Sequence, residues 1–166
     1  MMTLYHGSYL SINQPLIDKG RKNLDFGQGF YLTILQGQAV RWAKAIAERK
    51  GPKAEAVLNI YAFDYEKAVS EARYKRFDNY DLEWLNYVVA CRRGFPEWQK
   101  YDIIEGGVAN DNVIDTVEDY ENGRITAERA LDELRFKKPN HQICITSQSI
   151  IDKYLRFENS FCLPQD

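Results

Sequence analysis

Apolar and polar positions alternate or repeat along this chain in a way that separates strands from helices. Thr3-Leu4-Tyr5-His6 reads as a strand that Gly7-Ser8 ends. Phe26-Gly27-Gln28-Gly29 reads as a glycine-flexed turn, since glycine tolerates positive φ and close backbone approach. It feeds a short apolar strand, Phe30-Tyr31-Leu32-Thr33, built of good strand formers. Between these two strands, Pro15 and the charged run Asp18 to Lys22 mark an irregular connection. The alanine-rich run Gln38 to Ala47 puts Val40, Ala43 and Ala47 at helical spacing. That helix ends near Lys50-Gly51-Pro52, with Lys44, Arg49 and Lys50 complementing its dipole.

The second half continues in a mixed order. Ala54 to Asp64 is strand-like, whereas Tyr65 to Tyr80 is charged, exposed and partly helical. Asp81 caps a helix to Arg93 that turns Leu82, Leu85, Val88 and Val89 to one side. Tyr101 to Glu105 is a short strand closed by Gly106-Gly107. Asp111 to Tyr120 reads as a helix, and Thr126 caps another that faces Ala130, Leu131 and Leu134 inward. Gln142 to Ser147 and Tyr154 to Phe157 read as strands. Strands and helices do not alternate strictly, and the last strands leave little room for crossovers. The pattern predicts an α+β domain spanning 1–166.

Composition narrows the chemistry. A chain of 166 residues with 45% hydrophobic content is ample for one packed core. A formal net charge of -2 gives no chain-wide basic field to draw nucleic acid. Arg73-Tyr74-Lys75-Arg76 invites that reading locally, but a solvated helix face accounts for it. The three cysteines, Cys91, Cys144 and Cys162, are odd in number and widely spaced, which predicts reduced thiols in a cytoplasmic protein. With two histidines and no Cys-x-x-Cys, no metal site is expected. The N-terminus lacks the basic start and apolar run of a signal peptide, and no segment approaches a membrane span.

Three pieces stand out as chemistry: His6-Gly7-Ser8, Gly29-Phe30-Tyr31, and Gln142 opening a late strand. Together they resemble the ADP-ribosyltransferase superfamily, in its branch with a His-Tyr-Glu signature. Most of the chain resembles a bacterial family of small proteins with that fold, a domain of unknown function (DUF3990). The shared pieces are Leu4 to Ser8, Phe26 to Thr33, Gln38-Ala39 with Trp42-Ala43, Asp102 to Asp111, and Gln142 with its strand.

The resemblance implies a split antiparallel β-sheet core with flanking helices. It implies cleavage of the nicotinamide–ribose bond of NAD, the substrate, with no metal. In that pattern His6 bonds a hydroxyl of the adenosine ribose, Gly7 takes the nicotinamide carboxamide, and Ser8 bonds a ribose hydroxyl. Tyr31 and Trp42 sandwich the nicotinamide ring, worth around 1 kcal/mol per aromatic pair. His6 and Tyr31 thus join Gln142 at the catalytic centre.

Gln142 departs from the superfamily, which places Glu here. The amide keeps an acceptor oxygen but lacks the charge that stabilises the developing cation, a loss of about 3 kcal/mol. Glu105, Asp102 and Asp111 are candidates for a substitute carboxylate. Ala39 is a second departure, since some relatives carry a hydroxyl there.

The expected activity is mono-ADP-ribosylation of a macromolecular acceptor, protein or nucleic acid. The resemblance also suggests a toxin or effector with a neutralising antitoxin partner. The alternatives are a catalytically weak or inactive module that binds NAD, ADP-ribose or a partner, and an NAD glycohydrolase. The same residues, read without the resemblance, are a strand-end histidine, core aromatics, and turn or cap carboxylates.

Overall fold

A computed structural model describes residues 1–110 and 112–165. Two sheets share the core. The first has the order β1 (Met2–Ser8), β3 (Val57–Phe63), β7 (Leu155–Cys162), antiparallel throughout. The second runs β2 (Phe30–Leu32), β6 (Gln142–Ile145), β5 (Ile103–Gly106), β4 (Tyr74–Arg76), with only the β4–β5 pair parallel. The expected α+β class therefore holds, with two mostly antiparallel sheets. Among the described residues they are joined by a bridge in which Tyr5 and Thr33 exchange both backbone hydrogen bonds, at 2.8 and 3.0 Å. Beyond it, β1 and β2 diverge.

Helices cover the sheets: α1 (Gln36–Lys50), α2 (Tyr65–Glu71), α3 (Leu82–Arg92), α4 (Ile114–Glu121), α5 (Ala127–Leu134) and α6 (Gln148–Tyr154). No described helix is long and apolar enough to cross a membrane. The second sheet has two different faces, as period-two alternation requires. Phe30, Leu32, Ile103, Ile143 and Ile145 pack on one side with Leu4, Tyr61, Phe63, Ile150 and Ile151. Ile104 and Cys144 turn to the other, where Trp84, Leu85, Val88, Val117 and Leu134 complete a separate cluster.

Several expectations are refined. In α1 the buried stripe is Ala39, Ala43 and Ala47, with Val40 half-buried beside it. In α3 Leu82 is exposed and Trp84 takes the core position, its indole N–H donating to the Gly107 carbonyl at 2.7 Å. The caps at Asp81 and Thr126 are present, accepting from Trp84 N (2.9 Å) and Arg129 N (3.2 Å). Arg73 to Arg76 is mostly strand β4 rather than a helix face. Helix α6, capped by Ser147, lies where no helix was expected, and β7 runs five residues past the expected end at Phe157. It is an edge strand, largely exposed, so alternation of its side chains leaves only a faint signal.

Strand β1 and helix α1 pack backbone against backbone. A Cβ placed on Gly7 would lie 2.1 Å from the Ala39 carbonyl oxygen and 2.7 Å from the Ala43 nitrogen. Both are backbone atoms and cannot swing away. Gly7→Ala is expected to destabilise the protein by about 3 kcal/mol or more. Gly37→Ala is the control: its Cβ would meet only the Arg41 side chain at 3.5 Å, and alanine in a helix gains about 0.5–1 kcal/mol over glycine. Urea denaturation of the two variants checks both signs.

Candidate functional site

The divergence of β1 from β2 opens a cleft of about 1260 Å³. His6, Gly7, Ser8, Tyr31, Trp42 and Gln142 all line it. Residues spread from 6 to 142 are thus brought to one place, and each is held there by an identifiable contact.

His6 stacks on Phe30, ring centroids 4.3 Å apart, and its Nδ1 lies 2.6 Å from the Tyr31 carbonyl oxygen. A carbonyl only accepts, so Nδ1 carries the proton and Nε2 keeps a lone pair. Among the described residues Nε2 meets no partner. Burial pushes the imidazole down to about 4, and the Tyr31 carbonyl offsets this only in part. The ring is therefore neutral near pH 7.

The neighbouring glycine works through its backbone. Its missing side chain admits the backbone of α1 at Ala39 and Ala43. By strand alternation the Gly7 N–H and C=O point to the same edge as those of Tyr5, the edge facing β2. Since β2 has already diverged, these groups face the cleft. Ser8 Oγ accepts from Leu10 N at 3.3 Å, which leaves its hydroxyl proton to donate.

Tyr31 is locked by its hydroxyl, which donates to the Gly27 carbonyl (2.6 Å) and accepts from Phe26 N (3.1 Å). Gly27 sits at φ 84, and a Cβ there would strike Trp98 at 2.1 Å. The turn thus requires glycine, and it fixes the Tyr31 ring. Trp42, on α1, is half-buried against the α3 cluster and lines the same cleft.

Gln142 opens β6. It is 3% exposed, and its Oε1 is buried with no hydrogen-bond partner. Such an orphaned acceptor costs about 1–3 kcal/mol. Its surroundings are fully tied. Gln38 Nε2 donates to the His141 carbonyl at 2.7 Å, pinning α1 to the start of β6. Across the ladder Gln142 faces Gly106, where a Cβ would strike Phe77 at 2.9 Å. The loop after β5 is clamped by Asn140 Oδ1, which accepts from Val108 N at 2.8 Å.

The substitute carboxylates do not reach Gln142. Glu105 pairs with Ile143 and so lies on the opposite face of the sheet. There it accepts from Tyr65 (2.6 Å), Tyr74 (2.7 Å) and His141 Nε2 (2.8 Å). Asp102 is bound to Arg73 at 2.9 Å, away from the cleft. Asp111 lies outside the described residues. Ala39 is fully buried beneath Gly7.

The carboxylates that do line the cleft are Asp25 and Glu121, and both pair with Arg92, each at 3.2 Å. Asp25 also accepts from Ala109 N at 2.6 Å. Sequence reasoning missed Asp25 and Arg92, although Asp25 immediately precedes the Phe26 motif. Among the described residues no cluster of His, Cys, Asp or Glu is arranged to hold a metal ion.

The architecture defines an α+β protein with a ligand-sized cleft between two sheets and an unsatisfied amide at its floor. The chain matches the family described as "protein of unknown function (DUF3990)" over residues 2–157, and it belongs to that family. No curated protein and no solved structure is significantly similar to it.

The Glu105 network is structural and pH-dependent. Burial raises its carboxyl, but the bonds from His141, Tyr65 and Tyr74 outweigh this and hold it at about 2. A carboxyl depressed on folding stabilises above its unfolded value and loses that contribution as pH falls through its folded one. Glu105→Gln should therefore lower Tm at pH 7, and the gap to wild type should close between about 4.5 and about 2. Thermal melts across that range check it.

Proposed function

We propose that this cleft binds NAD and transfers its ADP-ribose to a macromolecular acceptor. The observation that carries the reading is the orphaned Gln142 Oε1 in a cleft that also presents the His6 Nε2 lone pair. Two acceptors without donors ask for a ligand rich in hydroxyl groups, and a dinucleotide's riboses supply them. The cleft volume of about 1260 Å³ leaves room for a ligand of that size. The two-sheet arrangement, with β1 and β2 splitting beside the motif residues, agrees with the resemblance to ADP-ribosyltransferases.

In this reading His6 accepts from one ribose hydroxyl and Gln142 from the other. The Gly7 main chain pairs with the nicotinamide carboxamide, and Ser8 donates to a ribose oxygen. Tyr31 and Trp42 hold the ring by stacking. The chemistry is displacement at the ribose C1′: the nicotinamide leaves with the bonding electrons, and the acceptor's nucleophile bonds to C1′ and loses its proton. Water in place of the acceptor would make the protein a glycohydrolase.

A second reading has its own support. No described carboxylate that lines the cleft is free of a cation: Glu105 is across the sheet, and Asp25 and Glu121 share Arg92. A slow enzyme, or a module that holds NAD without turnover, fits that charge pattern. An antitoxin partner belongs with the toxin form of the first reading.

Two measurements follow. With NAD at ~100 times its dissociation constant, wild type should gain about 2.7 kcal/mol, a Tm rise of roughly 5–10 °C. His6→Ala should fold and lose most of that rise; an undiminished rise in the folded variant would remove His6 from the site. Separately, Gln142→Glu should raise nicotinamide release about 10²-fold if the missing charge limits the reaction. An unchanged rate in a variant that still binds NAD would favour the module.

A further inference from the structure

Charge is distributed unevenly around the cleft. Lys19, Arg21, Arg49 and Lys50 line it, all exposed, and none forms an ion pair among the described residues. The basic residues of the Arg73 to Arg76 run behave differently: Arg73 pairs with Asp102, Lys75 with Glu83 and Arg76 with Asp78. The cleft's own carboxylates, Asp25 and Glu121, share one cation, Arg92, and neither pairs with a rim cation among the described residues. So in a chain of formal net charge -2, the uncompensated charge at the cleft is positive.

These cations come from two separate segments, both held in place. The turn carrying Lys19 and Arg21 is tied to the glycine loop, where Gln28 Nε2 donates to the Gly20 carbonyl at 2.9 Å. Gly20 packs so closely on Gly29 that a Cβ would lie 2.8 Å from its oxygen. Arg49 and Lys50 end α1, and the Lys50 ammonium sits 4.6 Å from the centre of the Tyr9 ring. Tyr9 and the exposed Leu10 and Leu16 add apolar surface between the charges. Cations interleaved with an aromatic ring are the surface that tracks a phosphate backbone and stacks bases.

We propose that this rim binds the phosphate backbone of single-stranded nucleic acid, which is the acceptor class for the cleft. The acceptor role rests on the NAD reading above; the binding does not. A dinucleotide's diphosphate carries one charge per phosphate, so it would leave about half of the rim uncompensated. Single strands fit better than duplex, because Gln142 lies at the buried floor and only an unpaired base or end reaches in.

The test is fluorescence anisotropy of the full-length protein with a labelled single-stranded RNA or DNA of about 20 nucleotides, without NAD, as salt is varied. Four phosphate contacts predict a slope of log K against log salt near −2.8, so affinity falls about fifty-fold between roughly 50 and 200 mM salt. The variants Lys19→Glu/Arg21→Glu and Arg49→Glu/Lys50→Glu should each bind at least about tenfold more weakly, with the slope near −1.4.

No saturable binding at low salt, or charge-reversed variants that bind like wild type, would overturn the proposal. So would labelling from tagged NAD that appears on protein alone and ignores the rim variants. If the variants instead lose the NAD-induced Tm rise and no oligonucleotide binds, the rim serves the dinucleotide only, and the acceptor assignment fails while the NAD reading stands. Oligonucleotide binding without any NAD-induced rise would retain the rim and reject the NAD reading.

Discussion

The rest of this structure depends on how closely β1 can approach α1. At Gly7 the helix backbone occupies the space where a side chain would be, with the Ala39 oxygen 2.1 Å from the position of a Cβ. Small residues on the helix, Ala39, Ala43 and Ala47, complete the contact. That approach draws β1 onto the helix at the point where its pairing with β2 ends, after the Tyr5–Thr33 bridge. A sheet that stayed paired would have no cleft, since backbone groups are normally satisfied by the adjacent strand. Here the groups at Gly7 are left facing an opening, and His6 and Ser8 on either side are carried to it.

The second constraint is rigidity of the cleft floor. Gln142 is buried at 3% exposure with an orphaned oxygen, a costly arrangement that persists only if its surroundings cannot relax. The supporting contacts come from both faces of the sheet. On the cleft side, Gln38 grips the backbone of His141, and Asn140 grips the following loop of β5. On the far side, the side chain of His141 is fixed by Glu105, which is itself held by Tyr65 and Tyr74. Glu105 therefore acts on the floor by bracing His141, one residue from Gln142, and has no access to a ligand.

Much of this was legible in the sequence, and the parts that were not share a cause. The mixed element order, the Asp81 and Thr126 caps, and the glycine turn before β2 all follow from local rules that the structure obeys. The cleft residues His6, Gly7, Ser8, Tyr31, Trp42 and Gln142 were found by motif, and the fold places them together. What local reading could not supply was the face of a strand in a ladder. Glu105 is two residues from Gly107 and near Gln142 in the ladder, yet register turns it to the opposite face. Helix α6 and the far half of β7 were invisible because a seven-residue helix and a solvated edge strand leave little hydrophobic period. The Asp25–Arg92 pair joins residues far apart in sequence, and neither one signals the other.

Charge then separates the roles of the two ends of the cleft. At the floor the described acceptors are neutral, an amide oxygen and an imidazole lone pair, and the cleft carboxylates Asp25 and Glu121 share Arg92. Neutral acceptors suit hydroxyl groups and orient them without attracting cations. At the rim the balance reverses, and Lys19, Arg21, Arg49 and Lys50 have no matching anions. An anionic ligand is favoured at the mouth and a hydroxyl-bearing one at the floor, an order that matches a molecule of phosphates and sugars entering from outside. Because rim charges lie in high dielectric, their attraction is screened within a Debye length of about 8–10 Å at ordinary salt. The floor, shielded from solvent, is not screened in this way. Affinity at the mouth should thus respond to ionic strength, whereas selection at the floor depends on hydrogen-bond geometry set by Gly7 and His141.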